Sequence, residues 1–333
     1  MIGVIVLTFE AADVIEACLE SLHVSDHPDM RVVVCDNRSS DDTVKVIRAW
    51  AEAHGEALEE IAPATQPAAN LARYTLLHTG GNLGFAGGVN AGLRWLQQDP
   101  RVDLFWILNP DSEAEPGTAS AYARHAAEVG PFALMGARIC YHEADRRVQS
   151  DGGQVSQWTG VCRNVNSGLS QEDAVPPDAA HLDFISGANM VASRVFVERA
   201  GPMVEDYFLY YEEVDWAARR GDLPLVLCPD AKVLHHGGTV IGTGSLTRRP
   251  SPFANYFNYR NRMRFMRRFR PMALPIAWAL SMLRVVKLFG LGAGAEGWAA
   301  FCGLNGMPPP ASIRDRIAPA DQDRAFVLRE HTA

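Results

Sequence analysis

Val102–Ser112 (VDLFWILNPDS) is the stretch that most limits what this chain can fold into. Its apolar run is short, rich in Leu, Ile and aromatic residues, and bounded by Pro and polar residues. That composition predicts a buried central strand rather than a helix. Pro110 cannot donate to a ladder, so the strand stops there and leaves Asp111 on the loop at its carboxyl end. In open α/β sheets, ligands bind at that end. A carboxylate held there suits a divalent cation, and a cation there suits a diphosphate. The structural alternative is a loop aspartate that caps the following helix.

The same unit recurs upstream. Gly3–Phe9 predicts a strand, and Asp13–Leu22 a helix with Asp13 as its N-cap. Met30–Cys35 predicts the second strand, which ends in Asp36-Asn37 before a helix over Thr43–His54. Strands and helices alternating through short connections imply parallel pairing and right-handed crossovers. Asp36 is either a turn residue or a hydrogen-bond partner for a nucleobase or ribose. Gly55–Arg73 reads as a surface loop, and Tyr74–His78 as a short strand leading into TGGNLGFAGGVN. Five glycines in nine residues, ahead of a helical run over Val89–Leu96, let backbone amides approach a phosphate or simply make a tight turn. The segment matches neither GxxxxGK nor GxGxxG.

A helix over Pro116–Glu128 and a strand over Phe132–Ile139 continue the pattern. It then gives way to polar, Gly- and Asp-rich sequence from Tyr141 to His181, a length that points to loops around an active site. Asp183–Val191 predicts a strand and Ser193–Ala200 a helix. In YFLYYEEVDW, three carboxylates (Glu212, Glu213 and Asp215) follow an aromatic run. Acids favour a helix start, but the aromatic neighbours predict partial burial, where a carboxylate serves as a general base. Two short strands, Leu225–Cys228 and Lys232–Leu234, lead to His235-His236.

The 333 residues, 47% of them hydrophobic, suffice for one large α/β domain with an appendage or for two domains. Ile2–Phe9 lacks the basic leader of a signal peptide. The six cysteines are scattered without a CxxC pair, as expected of buried thiols in a cytoplasmic protein. Charge is unevenly placed: Ala231–Ala295 holds eleven of the 31 Lys and Arg and none of the 39 Asp and Glu. A basic segment on an acidic body predicts an anionic partner for that segment. No nucleic-acid-binding motif is present, so nucleic acid is not the expected partner.

The order of motifs resembles the family-2 glycosyltransferases, in particular their rhamnosyltransferase-like branch. The resemblance covers roughly residues 1 to 269. It rests on IVLTFE, VVVCDNRSSDDT, GGNLGFAGGVNAGL, WILNPDSE, FISGANMV, YFLYYEEVDWAARR, VLHHGG and NYFNYRNRMRF, in that order. It implies the GT-A nucleotide-diphosphosugar fold, inverting transfer, a divalent cation (Mg2+ or Mn2+), a nucleotide-diphosphosugar donor and a saccharide or lipid-linked acceptor. By position, Thr8, Glu10, Asp36 and Asn37 would line the nucleoside pocket, and Asn82, Gly84, Phe85 and Asn90 would close on the nucleotide sugar. Asn109-Pro110-Asp111 stands where the family has Asp-x-Asp, leaving Asp111 as the carboxylate on the metal, with His235 as a second ligand. Glu212-Glu213 aligns with the acidic pair whose second member is the catalytic base. That base is more often Asp, so Glu213 is one methylene longer than the pattern.

These readings place a doubly wound, mostly parallel α/β domain at 1–245, with a nucleotide-sugar half (1–115) and an acceptor half (116–245). A basic helical extension over 246–333 follows. The expected function is transfer of L-rhamnose from its dTDP donor, and the alternative is a nucleotide-sugar-binding protein without catalysis. In the extension, Asn258–Arg270 interleaves six arginines with apolar residues, and Pro271–Leu283 adds 13 nearly all apolar ones. That is short of a membrane span. Two expectations follow: peripheral contact with an anionic membrane surface on its cytoplasmic face, or packing on the catalytic domain or a second subunit of a homodimer, with the arginines pairing the acidic body.

Overall fold

The computed structural model describes residues 1–62, 72–143, 145–237, 242 and 248–327. In the first part of the chain the order is β1 (Ile2–Thr8), α1 (Ile15–His23), β2 (Met30–Asp36), α2 (Thr43–Ala53), β3 (Leu58–Ile61), β4 (Tyr74–His78), α3 (Gly84–Leu96) and β5 (Leu104–Leu108). The five strands pair in parallel in the order β3-β4-β2-β1-β5. Successive residues of a strand point to opposite faces, and here both faces are covered. Ile5, Val33 and Ile107 share one core with α3, while Val4, Val32 and Trp106 share the other with α1, α2 and the later helix α4. Double coverage is why these strands read as unbroken apolar runs.

The middle part adds β6 (Ser112–Ala114), α4 (Thr118–Val129), β7 (Leu134–Tyr141), β8 (Val148–Ser150), β9 (Gly153–Val155), β10 (Cys162–Asn164), β11 (Asn189–Ser193), α5 (Arg194–Ala200), α6 (Glu212–Ala218) and β12 (Val226–His235). The sheet continues β5-β11-β7-β12-β6. β12 is parallel to β7, whereas β11 is antiparallel to both its neighbours and β6 is antiparallel to β12. The mostly parallel, doubly wound sheet expected from the sequence is present, with these two insertions.

Several boundaries differ from expectation. α1 starts at Ile15 behind Val14, so Asp13 is not its cap. The expected loop after Gly55 contains β3, an edge strand whose half-polar LEEI carries little signal, and residues 63–71 lie outside the described residues. The strand expected from Asp183 begins only at Asn189. The two expected strands near residue 230 are one, β12, whose register slips between Leu227 and Lys232 around Pro229.

The chain ends in α7 (Pro252–Phe269), α8 (Leu274–Gly290), α9 (Gly294–Leu304), α10 (Ala311–Arg314) and α11 (Gln322–Phe326). Ser251 caps α7 by accepting from Ala254 N, with Pro252 in the first turn. α9 crosses α7 at Gly303, where a Cβ would strike the backbone of Tyr256. Tyr259, Met263 and Met266 of α7 belong to the same core as Ile107 and Trp216, so these helices are woven into the sheet domain. The expected boundary at 245/246 lies outside the described residues. Of the two expectations for the interleaved arginines of α7, packing on the catalytic domain with pairing to its acids is the one met here. Arg260 and Arg262 are buried, and Arg264 and Arg268 pair with Asp206 and Asp215, leaving Arg267 and Arg270 outermost.

Candidate active site

At the end of β5, Asn109 N donates to Ala188 O and Ser112 N returns to Asn109 O, at 3.0 and 3.1 Å, making a tight turn that presents Asp111. His235, the last residue of β12, is the ladder partner of Ser112. Register therefore delivers the imidazole to the carboxylate: Nε2 lies 3.1 Å from Asp111 Oδ1. Nδ1 is 2.6 Å from Oε1 of Gln149, on β8. With that amide oxygen as acceptor, Nδ1 carries the proton and Nε2 keeps its lone pair. A lone pair facing a carboxylate oxygen, with the Asn109 amide 3.3 Å away, fits a divalent cation held by Asp111 and His235. Gln149 escaped the sequence reading because a lone Gln in a polar stretch carries no signal.

His236 turns to other partners. Its ring stacks on His142, centroids 3.9 Å apart, and both Nε2 atoms meet Glu113 Oε1, at 3.4 and 3.0 Å. The three ligand atoms lie within 4.8 Å of one another.

Asn37, Asn82, Gly84, Phe85 and Asn109 border a single cavity of about 530 Å³ together with Asp111, Glu212, Glu213 and His235. Asn37 braces two loops, donating to Gly84 O at 2.9 Å and accepting from Thr79 Oγ1 at 3.2 Å. Asn82 Oδ1 accepts from Gly84 N at 3.0 Å. Gly84 has φ +70°, and a Cβ there would collide with the carbonyl of Phe208. That carbonyl instead accepts from Phe85 N at 2.6 Å, which locks the glycine-rich loop to the acidic loop.

The other expected donor residues stand behind this lining. Thr8 is fully buried on β1, ladder partner of Asp36, and its hydroxyl has no partner among the described residues. Asp36 accepts from Ser39 N at 3.2 Å and shapes its own loop. Glu10 accepts from the amide and hydroxyl of Ser40, both at 2.8 Å, and ties two loops together. Asn90 is buried and bridges Met203 N and O, each at 2.9 Å, and Glu205 at 3.0 Å.

The acidic loop is strained. Phe208, Tyr210 and Tyr211 have φ of 61°, 69° and 74°, a left-handed backbone that costs bulky residues about 1–3 kcal/mol each. The buried α7 supplies the restraint. Asn261 Nδ2 donates towards the carbonyls of Tyr207, Leu209 and Tyr210, at 2.8, 2.7 and 3.0 Å. Arg260 adds a bond to Tyr207 O at 2.8 Å, and the Tyr211 hydroxyl donates to Gly160 O at 2.7 Å.

α6 begins directly after this loop with Glu212 and Glu213. Oε2 of each is buried without a hydrogen-bond partner among the described residues. Burial pushes Glu213 up to about 7. Burial and the neighbouring Glu213 charge push Glu212 well above the usual carboxyl range. Two adjacent carboxyls that resist ionising together hold a proton near neutrality, at the edge of the cavity. Asp215 does not join them. It is fully buried, 2.8 Å from both Arg219 Nε and Arg268 Nη1, and accepts from the Tyr207 hydroxyl at 3.1 Å. Residues two apart on a helix do not share a face, which is the signal that separates it from Glu213.

The end of the chain also reaches the site, unannounced by any motif. Arg316 and Ile317 border the cavity, and Arg316 is the one Lys or Arg among the described residues that does. Asp321 accepts from Arg38 at 2.6 Å and from Asn82 N at 3.1 Å.

A cavity at the carboxyl ends of a mostly parallel, doubly wound sheet, with an acid–imidazole pair at the central strand, defines a protein of the GT-A fold. Residues 3–154 match the family model of glycosyl transferase family 2. The chain is similar to an N-acetylglucosaminyl-diphospho-decaprenol L-rhamnosyltransferase of Mycobacterium tuberculosis, 26% identical over 257 residues, 71% of this chain and 76% of the relative. It is also similar to the low-salt glycan biosynthesis hexosyltransferase Agl10 of Haloferax volcanii, 25% identical over 189 residues. That match covers 56% of this chain, which spans only 58% of the haloarchaeal protein. Among solved structures, the mannosyltransferase PcManGT of Pyrobaculum calidifontis, in complex with GDP-Man and Mn2+, shares the fold at a TM-score of 0.52 and 16% identity. The alignment covers 91% of this chain and 84% of that one. GalNAc-T7 with UDP, GalNAc and Mn2+ aligns at a TM-score of 0.54 and 10% identity, over 79% of this chain and 50% of its own.

Proposed function

We propose that this chain transfers a sugar from a nucleoside-diphosphate donor to an acceptor hydroxyl with inversion, using Glu213 as the base. One observation carries the reading: two partnerless buried carboxylate oxygens and an acid–imidazole pair border the same cavity. Inverting transfer needs a group that takes the proton of the acceptor hydroxyl as it attacks the anomeric carbon. Glu213, held near neutrality, matches that role, and Glu212 sets its proton affinity. Asn37, Asn82, Gly84, Phe85 and Asn109 bind the nucleotide sugar, with Thr8, Glu10, Asp36 and Asn90 fixing the loops that carry them. Asp111 and His235 hold Mg2+ or Mn2+, which when bound supplies positive charge for the departing diphosphate.

The donor is dTDP-L-rhamnose and the acceptor a saccharide or lipid-linked glycan, met at the cytoplasmic face of the membrane. The rhamnosyltransferase relative, matched over most of its length, supports L-rhamnose as the sugar and a lipid-linked acceptor. The test is release of nucleoside diphosphate from a panel of dTDP-, UDP- and GDP-sugars, with Mn2+ and a polyprenyl-diphosphate-linked acceptor. Turnover should be highest with dTDP-rhamnose. Preference for another donor overturns the sugar assignment, and binding without turnover on any donor overturns catalysis.

A further inference from the structure

α8 is packed inside out. The stripe it buries is small: Ala277, Ser281 and Val285, four residues apart. The stripe it exposes is large and apolar: Ile276, Leu280, Leu283 and Val286, on the opposite face, with Leu283 65% and Val286 61% exposed. Met272, in the turn before the helix, is 91% exposed. Phe289 and Leu291 at its far end and Trp298 on α9 are exposed as well. Soluble monomers rarely leave so large a contiguous apolar face uncovered.

The charge on and beside α8 is basic, and the first acid after it is Glu296 at the start of α9. Arg267, Arg270, Arg284 and Lys287 are exposed on or beside the apolar face, and no Asp or Glu occurs from Ala231 to Ala295. A second copy of the chain docking through the same face would bring like charges together. The chemistry that satisfies both features is an apolar medium with an anionic surface.

By length and composition, Pro271–Gly290 is apolar enough to cross a bilayer, with 20 residues and a mean hydropathy of 1.6. This is more than the 13-residue run expected from the sequence. Its bonds to the protein oppose crossing. The buried Arg262 guanidinium donates to Ser281 Oγ at 3.2 Å, and Trp278 Nε1 to Asn305 Oδ1 at 3.1 Å. A helix tied along one side to its neighbours can offer only its outer half. We propose that α8 lies in the plane of an anionic phospholipid bilayer, its large side chains at the acyl boundary and its basic residues among the headgroups. This placement depends on the surface alone and not on which sugar is transferred.

The test is flotation of the full chain with vesicles of phosphatidylcholine, alone or mixed with phosphatidylglycerol. Binding should require the anionic lipid and fall as salt rises. The pairs Leu283→Asp/Val286→Asp and Arg284→Glu/Lys287→Glu alter exposed positions. Each should weaken binding at least about tenfold, with melting temperature and turnover on a soluble acceptor unchanged. Equal binding to neutral vesicles, or no binding to either, overturns the proposal. So does a concentration-dependent dimer that the same variants dissolve.

Discussion

The side-chain nitrogen of Asn261 lies 3.0 Å from the carbonyl oxygen of Tyr210, two residues ahead of Glu212. The same nitrogen serves Tyr207 and Leu209, so one amide on α7 holds a left-handed loop that no glycine relieves. The direction of the Glu212–Glu213 pair is thereby set from the C-terminal helices.

Asn261→Ala should therefore lower turnover about 10²-fold by displacing the base, with nucleotide affinity nearly kept. Loss of a buried donor to carbonyls also costs about 1–3 kcal/mol of stability. Steady-state kinetics beside nucleotide titration separates the two effects. Unchanged turnover would detach the loop from catalysis.

Among the three acids, Glu213→Gln should reduce turnover by about 10²–10⁴-fold and leave donor binding intact. Asp215→Asn should act chiefly on stability, because it breaks a buried arrangement with Arg219 and Arg268. A coupled assay of diphosphate release, with thermal melts of each variant, distinguishes them. A large catalytic loss in Asp215→Asn without loss of stability would contradict the assignment.

Turnover should rise with pH through about 7, as Glu213 gives up its proton. Stability should move the other way. Both glutamates hold protons more tightly in the folded chain than in the unfolded one, so the native state binds more protons above the ordinary carboxyl range. Stability is then complete at acid pH and falls as pH rises towards the folded value. Glu212→Gln removes the penalty. Its melting temperature should exceed the parent's at about pH 8 and approach it near pH 4; a constant offset would argue against the linkage.

Asp111→Ala should abolish transfer and Mn2+-dependent nucleotide binding. His235→Ala should weaken Mn2+ binding more than His236→Ala, whose ring belongs to the Glu113–His142 group. Gln149→Ala, which frees the imidazole of His235, should cost about 10–100-fold in metal affinity. Metal titration by calorimetry reads all four variants. Equal affinities for the two histidine variants would refute the distinction.

What could be read from the sequence was local. The halt of β5 at Asn109-Pro110-Asp111 and the doubly covered strands follow from short-range composition. The antiparallel insertion of β11 does not, since five apolar residues carry no direction. Gln149 reaches His235 across 86 residues and Asp321 reaches Asn82 across 239, distances at which no pattern speaks. Sequence alone left the arginines of α7 open between a membrane-facing stripe and packing on the domain, because several of their partners are backbone carbonyls, which have no letter in a sequence. Asn90 and Asp215 were recognised as polar residues in the right motifs, but their bonds run to the scaffold.

Asp321 closes on Arg38 and on the amide of Asn82. A ribosome delivers these partners in a fixed order, so Asn82 waits for 239 further residues before its carboxylate arrives. A nascent chain that has completed the sheet, the Asp111–His235 pair and the Glu213 base still lacks the carboxylate that joins Arg38 to the Asn82 amide. The tie that joins Arg38 to the glycine-rich loop is thus made long after the strands that carry both.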